Sequence, residues 1–245
     1  MHEGVCLIVP VKDEADNLRW LLPSLTPLCR TVVVDNDSKD ASAEVARALG
    51  AEVVRCPERG VGRALQMAAS YLRDSDSPYG TPKILAMIDA DGSFVADDLA
   101  EFLSPITQGS AHIVFSRVAT ATGDPMPWPR RAGQGVMRML LSLLTGRDPM
   151  PYGTLVACDY DVFRTIELED RTWGWLIELK IKSRLLGLCT AVIDVPYHHR
   201  QLGRSKVTRC PVMAWRVAAR ILWAAPYYWL KSRALLRALH WSRVP

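Results

Sequence analysis

The stretch Lys83-Ile-Leu-Ala-Met-Ile-Asp-Ala-Asp-Gly-Ser93 constrains what this chain can fold into more than any other. Ile84 to Ile88 is an apolar run with no polar residue to expose, which predicts a strand buried on both faces, the kind found in parallel sheets covered by helices. The run empties directly into Asp89 and Asp91. Carboxylates at the carboxyl end of a central strand stand where open α/β sheets bind ligands. Two of them one residue apart in a turn can both address a single hard divalent cation, and a cation held there can grip the phosphates of a nucleotide. The spacing alone is a weak sign, since Asp35/Asp37, Asp74/Asp76 and Asp159/Asp161 repeat it. The strand in front of Asp89 sets that pair apart.

Other segments fall into the same alternation. Val5 to Val9 is an apolar run ending at Pro10, a first parallel strand, and Lys12-Asp-Glu-Ala-Asp-Asn17 opens a helix to about Leu28 with acidic residues suited to its N-terminus. Thr31 to Val34 predicts a second strand, after which Asp35-Asn-Asp-Ser-Lys-Asp40 offers turn and capping groups for a helix to about Gly50. Glu52 to Cys56 is a short third strand, and Gly60-Val-Gly62 leads into a helix; the glycine pair signals a turn and close helix packing more than a phosphate cradle. A helix near 97–106 and a strand at 111–116 follow. The Pro-rich segment 122–131 reads as irregular, a lid or crossover, and a helix at about 133–144, a loop at 146–153, a strand at 154–158, a helix at 173–187 and a last strand at 191–195 complete the pattern. Strands alternating with helices at this spacing predict a mostly parallel sheet flanked by helices. No Gly-x-Gly-x-x-Gly pattern or Walker loop is present.

With 245 residues, 49% of them hydrophobic and 23% charged, the chain supports one large core. Six cysteines lie far apart without a Cys-x-x-Cys pair, as expected of reduced core thiols in a cytoplasmic protein, and no secretory signal is visible at the N-terminus. The net charge of +4 conceals an asymmetry: from Arg200 onward there are ten Lys/Arg and no Asp or Glu. Residues 208–245 also carry Trp215, Trp223, Tyr227, Tyr228, Trp229 and Trp241 among apolar residues. No charge-free run there is long enough to span a bilayer. Two basic amphipathic helices broken at Pro226 are expected instead, lying in the interface of an anionic membrane or packing on the sheet or in a homodimer.

Taken together, the polar clusters resemble the family 2 glycosyltransferases of GT-A fold, and within them the dolichyl-phosphate mannose synthase-like branch. The matching pieces are Ile8-Val-Pro-Val-Lys-Asp-Glu14, Val33-Val-Asp-Asn-Asp-Ser-Lys-Asp40, Gly60-Val-Gly-Arg-Ala64, Met87-Ile-Asp-Ala-Asp91, Phe115-Ser-Arg117 and Asp194-Val-Pro-Tyr-His-His-Arg-Gln-Leu-Gly-Arg-Ser-Lys206. The resemblance implies a GT-A domain over residues 1–207, with 208–245 as a helical tail. It places Pro10, Lys12, Glu14, Asp35, Asn36 and Asp37 on the nucleotide, and Asp89-Ala90-Asp91 on Mg²⁺ or Mn²⁺ and the donor diphosphate. Arg200 and Lys206 fall on the segment that meets the same diphosphate, and Arg117 and Arg131 near an acceptor phosphate. Asn36 and Lys12 depart from the residues usual in the family. Trp173 and Trp175 read either as core anchors or as an aromatic wall, and Glu178 as the exposed face of its helix.

These expectations describe an inverting hexose transfer from a UDP-, GDP- or dTDP-linked sugar to a polyprenyl phosphate, catalysed at the cytoplasmic face of a membrane. An ionised phosphate acceptor needs no general base, so the chemistry reduces to positioning and charge neutralisation. A hydroxyl acceptor of a lipid or small molecule is the alternative; it requires a base, and Asp148 is the candidate. A membrane-docked, inactive scaffold is the non-enzyme alternative, and a nucleic-acid partner is not expected.

Overall fold

In a computed structural model of the chain, residues 4–74, 80–119, 128–146, 153–196, 198, 202 and 211–241 are described. Seven strands form one sheet: β1 (Val5–Val11), β2 (Arg30–Asp35), β3 (Glu52–Arg55), β4 (Ile84–Met87), β5 (Ile113–Ala119), β6 (Val156–Asp159) and β7 (Thr190–Pro196). The spatial order is β3-β2-β1-β4-β6-β5-β7. All pairs are parallel except those of β6, which runs antiparallel to both β4 and β5. Among the described residues there are eight α-helices, α1 (Ala15–Leu25), α2 (Ser42–Ala48), α3 (Val61–Asp74), α4 (Leu99–Thr107), α5 (Trp128–Thr145), α6 (Tyr160–Ile166), α7 (Trp175–Leu185) and α8 (Pro211–Trp241); α5 and α8 pack on α7, away from the sheet. The expected mostly parallel α/β sheet of GT-A type is therefore what forms.

Alternation within the strands divides the core between the two faces. Leu7, Val9, Ala86, Ile88 and Val114 face one helical layer with α1 and α4. Cys6, Ile8, Leu85, Met87 and Phe115 face the other, where Leu65, Ala68, Trp175 and Leu179 pack. β4 is buried along its whole length, as its unbroken apolar run requires. Of the cysteines described, Cys6, Cys29, Cys56 and Cys158 are buried free thiols and Cys189 is exposed.

Two expectations about the extent of helices change. Trp128 to Arg131, expected to be irregular, form the first turn of α5; Pro129 is tolerated there because a first-turn residue has no intrahelical N–H bond to lose. The tail is one 31-residue helix with Pro226 inside it, not two helices broken at the proline. Its flanks are clamped: Ala224, Ala225 and Tyr228 are buried against Met137 and Leu141 of α5 and Ile177 and Ile181 of α7, and this packing outweighs the one hydrogen bond that Pro226 removes.

Helix α7 is buried from Trp175 to Ser183, so Trp175 is a core anchor and Glu178 is not the exposed residue its helical position implied. Glu178 accepts the backbone N–H groups of Glu169 and Asp170 and pairs with Lys182 at 2.8 Å. Lys180 is also buried, its ammonium 5.4 Å from the centre of the Phe115 ring, and burial pushes its pKa from 10.5 down to about 7. Folded chain thus holds fewer protons than unfolded chain between these values, and Lys180 disfavours folding most below about pH 7, the effect fading as pH rises toward 10.5. The stability of the wild type relative to Lys180→Met is expected to rise with pH between about 7 and 10.5; melting curves of both proteins across that range check it.

Candidate functional site

The chain runs from β1 to β2 to β3 on one side of β1 and then crosses to β4 on the other. The carboxyl ends of β1 and β4 therefore border a topological switch point, where an open sheet of this kind leaves a crevice. The described candidate residues other than Arg131 lie at this edge. Pro10 closes β1 and Lys12 and Glu14 follow it; Asp35 closes β2, with Asn36 and Asp37 after it; Asp89, Ala90 and Asp91 follow β4; Arg117 lies near the end of β5. The sequence placed the residues around β1, β2 and β4 at strand ends and assigned them to one site by resemblance. The sheet brings them together.

Main-chain pairing carries the β4 strand into the acidic turn: Ile88 N–H donates to Ile8 O at 3.0 Å, one residue before Asp89. Asp89 and Asp91 are both half-buried, and Asp91 Oδ1 accepts Ser93 N–H at 3.1 Å, which fixes the turn. Gly92 there has φ of +75°, a conformation glycine adopts without strain. Ala90 is buried in the core, so only its backbone is available to a ligand. No group of three or more His, Cys, Asp or Glu side chains among the described residues is arranged to hold a metal. A pair of carboxylates nonetheless fits Mg²⁺ or Mn²⁺ used in nucleotide chemistry, since such an ion takes one or two protein carboxylates and fills its remaining positions with phosphate oxygens and water.

The nucleotide side of the crevice is built from two loops that tie each other down. Lys12 Nζ donates to the carbonyls of Asn36 at 3.1 Å and Asp37 at 2.9 Å. Asp13 N–H donates to Ser38 Oγ at 2.9 Å, and Lys39 N–H to Asp13 Oδ1 at 2.6 Å. Ser42 Oγ and Asp40 Oδ2 accept from the N–H groups of Glu14 and Ala15. Asp13 and Asp37 adopt positive φ, +50° and +62°, a left-handed conformation that Asp tolerates and that concentrates at functional loops. Asp35, almost buried, accepts Ser38 N–H.

Asn36 also has partners within the protein. Its Nδ2 donates to Glu58 O at 2.6 Å and its Oδ1 accepts Gly60 N–H at 2.9 Å. Both ends of the amide bond inside the protein, so Asn36 braces the loop after β3, while its Oδ1 keeps a second lone pair that can still accept. Lys12 is likewise a brace for the turn at Asn36 and Asp37, although its charge stays at the crevice.

Behind Asn36, the glycine pair serves close packing, as the sequence indicated. A Cβ on Gly62 would lie 1.9 Å from Asp170 O, and one on Gly60 2.0 Å from Arg171 O. The N-terminus of α3 is pressed against this backbone, with Gly62 N–H donating to Thr172 O and Arg63 N–H to Arg171 O.

Arg117 is exposed and pairs with Asp194 of the neighbouring strand at 3.4 Å. Helix α5 carries Arg131, whose side chain lies outside the described residues, as do Asp148, Arg200 and Lys206 entirely. The chain leaving β7 can still be followed at two points: His198 N–H donates to Ser93 O at 3.1 Å, beside the Asp91 turn, and Leu202 bonds to Asn17 at the start of α1. Sequence reasoning missed Asn17, Asp13, Ser38 and Asp170. Asp13 and Ser38 stood in clusters already recognised as polar strand ends, but no pattern marked Asn17 or Asp170.

Residues 6–166 match the model of the family described as Glycosyl transferase family 2. The chain belongs to that family. It is a glycosyltransferase, in a family to which the sequence resemblance attached a nucleotide-sugar donor. An uncharacterised glycosyltransferase of Mycobacterium tuberculosis is 31% identical over 206 residues, 84% of this chain and 90% of the relative. A dolichyl-phosphate hexose transferase of Haloferax volcanii is 28% identical over 177 residues, 72% of this chain and 73% of the relative. Among solved structures, glucosyl-3-phosphoglycerate synthase of M. tuberculosis, in complex with Mn²⁺, UDP and glucosyl-3-phosphoglycerate, superposes with a TM-score of 0.69 at 20% identity, covering 92% of this chain and 81% of that one. At this identity the likeness speaks for the fold.

The glycine contacts are directly testable. Gly62→Ala drives a Cβ into a backbone carbonyl that cannot move aside, and is expected to lower unfolding free energy by about 2–4 kcal/mol. Gly135→Ala, on α5 with nothing within 4 Å, is expected to be neutral or to stabilise by up to about 1 kcal/mol. Urea denaturation of both variants measures the contrast.

Proposed function

We propose that this glycosyltransferase moves a hexose from a nucleotide-diphosphate sugar to a polyprenyl phosphate at a membrane surface, with inversion at the anomeric carbon. The observation that carries the reading is the placement of Asp89 and Asp91 at the carboxyl end of β4, across the switch point from the loops at Lys12 and Asp35–Asp37. The carboxylates and carbonyls of those loops suit the hydrogen-bond donors of a base and ribose. A divalent ion on Asp89 and Asp91 would supply charge neutralisation of the leaving diphosphate. Arg200 and Lys206 are assigned to the same diphosphate, which needs guanidinium and ammonium donors. Arg117 and Arg131 are assigned to the acceptor phosphate; the Arg117–Asp194 pair is exposed, and an incoming phosphate can compete for its guanidinium at little cost. The acceptor oxygen is already ionised near neutral pH, so it attacks the anomeric carbon as the bond to the nucleotide diphosphate breaks, and one displacement inverts that centre.

The lipid acceptor is supported by the similarity to a dolichyl-phosphate hexose transferase and by α8. Opposite its buried side, α8 presents Leu222, Trp223, Tyr227 and Leu230 to solvent, Trp223 48% and Leu230 61% exposed. Trp223 and Tyr227 stack at 4.3 Å, and Arg220 lies 4.6 Å above the Trp223 ring. A helix apolar on both sides has one side too many for a helix in water. Aromatic rings beside Arg and Lys suit the headgroup boundary of an anionic bilayer. No helix among the described residues is long and apolar enough to cross a membrane, so the contact proposed is peripheral.

Titration calorimetry with UDP, GDP and dTDP tests the donor site: one nucleotide is expected to bind with Mn²⁺ and to lose at least tenfold in affinity without metal or in Asp89→Ala/Asp91→Ala. With the matching nucleotide hexoses, sugar is expected to pass to undecaprenyl phosphate and not to undecaprenol. Transfer to a hydroxyl, abolished by Asp148→Asn, would overturn the phosphate-acceptor reading. Tight metal-dependent nucleotide binding without turnover on any acceptor would favour a scaffold.

Vesicle sedimentation tests the surface. The protein is expected to pellet with phosphatidylglycerol vesicles far more than with phosphatidylcholine, and Trp223→Asp/Leu230→Asp to cut the bound fraction at least fivefold without lowering the melting temperature.

A further inference from the structure

Asp170, in the link between α6 and α7, stands where the tail helix meets the nucleotide side of the protein. Its side chain is buried. Oδ1 accepts from Thr172 N–H at 2.7 Å and from Thr172 Oγ1 at 2.9 Å, which closes the turn 170–172. Oδ2 accepts from Arg220 Nη2 at 2.7 Å and from Tyr228 OH at 3.3 Å, both on α8. Arg220 Nε also donates to Thr172 Oγ1 at 3.2 Å, so one guanidinium grips both side chains of the turn. Gly174 leaves the space for this arrangement, since a Cβ there would lie 2.2 Å from Asp170 Oδ2.

The main chain of the same turn is the seat of the loop after β3. Thr172 O accepts Gly62 N–H at 3.1 Å and Arg171 O accepts Arg63 N–H at 2.9 Å, two donors from the first turn of α3 that have no partner within their own helix. A Cβ on Gly60 would lie 2.0 Å from Arg171 O, and the Glu58 carboxylate meets Arg63 at 2.8 Å and Arg171 at 3.2 Å. Glu58 O and Gly60 N–H are in turn the partners of the Asn36 amide, and Lys12 holds the carbonyls of Asn36 and Asp37. Between the turn and the loop, backbone approaches backbone too closely for a methyl group to enter. A displacement of the turn is therefore passed on and not absorbed.

We propose that Asp170 is a positioning residue through which docking of α8 and binding of the donor nucleotide favour each other. Arg220 and Tyr228 hold Asp170, Asp170 closes the turn, and the turn seats the loop that Asn36 grips. The inference rests on the assignment of Asp35–Asp37 to the nucleotide. Without Arg220 the buried carboxylate loses its charged partner, which is costly, and the turn gains freedom that nucleotide binding must then remove. By linkage, a nucleotide bound at the loop restrains the docked α8 by the same factor.

The test uses the full chain and whichever of UDP, GDP and dTDP the wild type binds with Mn²⁺. Arg220→Met keeps an unbranched apolar stem but removes the ion pair with Asp170. It is expected to weaken the diphosphate about fivefold, and the matching monophosphate by a similar factor, because the loss falls on base and ribose. Arg220→Lys, which keeps the charge, is expected to recover most of that affinity. Tyr228→Phe removes one bond to Asp170 and keeps the ring in the core, and is expected to weaken binding in the same direction even if Arg220→Met folds poorly. Amide hydrogen exchange supplies the reciprocal readout, which a merely structural role would not move: nucleotide is expected to slow exchange across residues 221–232 in the wild type and not in Arg220→Met. Unchanged nucleotide affinity in folded Arg220→Met and Tyr228→Phe, or exchange in α8 of the wild type that ignores bound nucleotide, would overturn the inference. If the wild type binds none of the three nucleotides, the donor reading fails first and the inference with it.

Discussion

β4 is held by main-chain hydrogen bonds from parallel β1 on one side and antiparallel β6 on the other, so its carboxyl end cannot shift without opening the middle of the sheet. Asp89 follows two residues after that strand, and the bond from Ile88 N–H to Ile8 O extends the pairing to its neighbour. The acidic turn is therefore positioned by backbone geometry. Both faces of β4 are apolar and covered, and burial at roughly 25 cal/mol per Å² of apolar surface makes that arrangement expensive to disturb. Rigid placement of the carboxylates on a strand is what a site must have if little covalent chemistry is asked of the protein and much charge neutralisation.

Around this strand, the loops at the same edge are fixed by polar side chains that bond backbone groups across the loops. Lys12, Asp13, Asn36, Ser38, Asp40 and Ser42 bind backbone groups of neighbouring loops or turns. The consequence is preorganisation: the groups left at the crevice do not have to be ordered when a ligand arrives, and that entropic cost is met on folding. It also divides a cluster that looks uniform in sequence into residues that brace and residues that remain at the crevice. Asn36 braces, through Glu58 O and Gly60 N–H, with one lone pair of its Oδ1 left over.

The succession of strands and helices follows readily from the sequence because apolar runs of this length, bounded by Asp, Gly and Pro, leave few alternatives for a chain of alternating strands and helices. The acidic turn was legible for the same reason: a fully apolar strand ending in Asp-x-Asp is a local signal. The fates of Asn36, Asn17 and Asp170 were not, since each depends on partners between 8 and 185 residues away in the chain. Glu178 misled because helical periodicity presumes one buried side, whereas α7 is wedged between the sheet on one side and α5 and α8 on the other. Pro226 misled for a related reason: local propensity argues for a break, and the packing of Ala224, Ala225 and Tyr228 decides otherwise.

Asp170 shows how the tail is tied to the rest of the protein. Its buried carboxylate accepts from Thr172 N–H and Oγ1, from Arg220 Nη2 at 2.7 Å and from Tyr228 OH at 3.3 Å, while its own carbonyl is the atom against which Gly62 packs. Lys231 adds an exposed pair with Glu169. A buried ion pair of this kind adds little net stability over an apolar contact, yet breaking it by removing one partner is costly; its effect is to select one docking geometry for α8. The segment 170–172 thereby meets α8 on one side and, through Gly60 and Gly62, the loop braced by Asn36 on the other. If the exposed side of α8 is the membrane contact proposed above, these few residues set the attitude of the whole sheet to the bilayer. A lipid-phosphate acceptor approaching from that surface would then meet the carboxyl edge at a fixed angle, which is what an in-line displacement at the anomeric carbon demands.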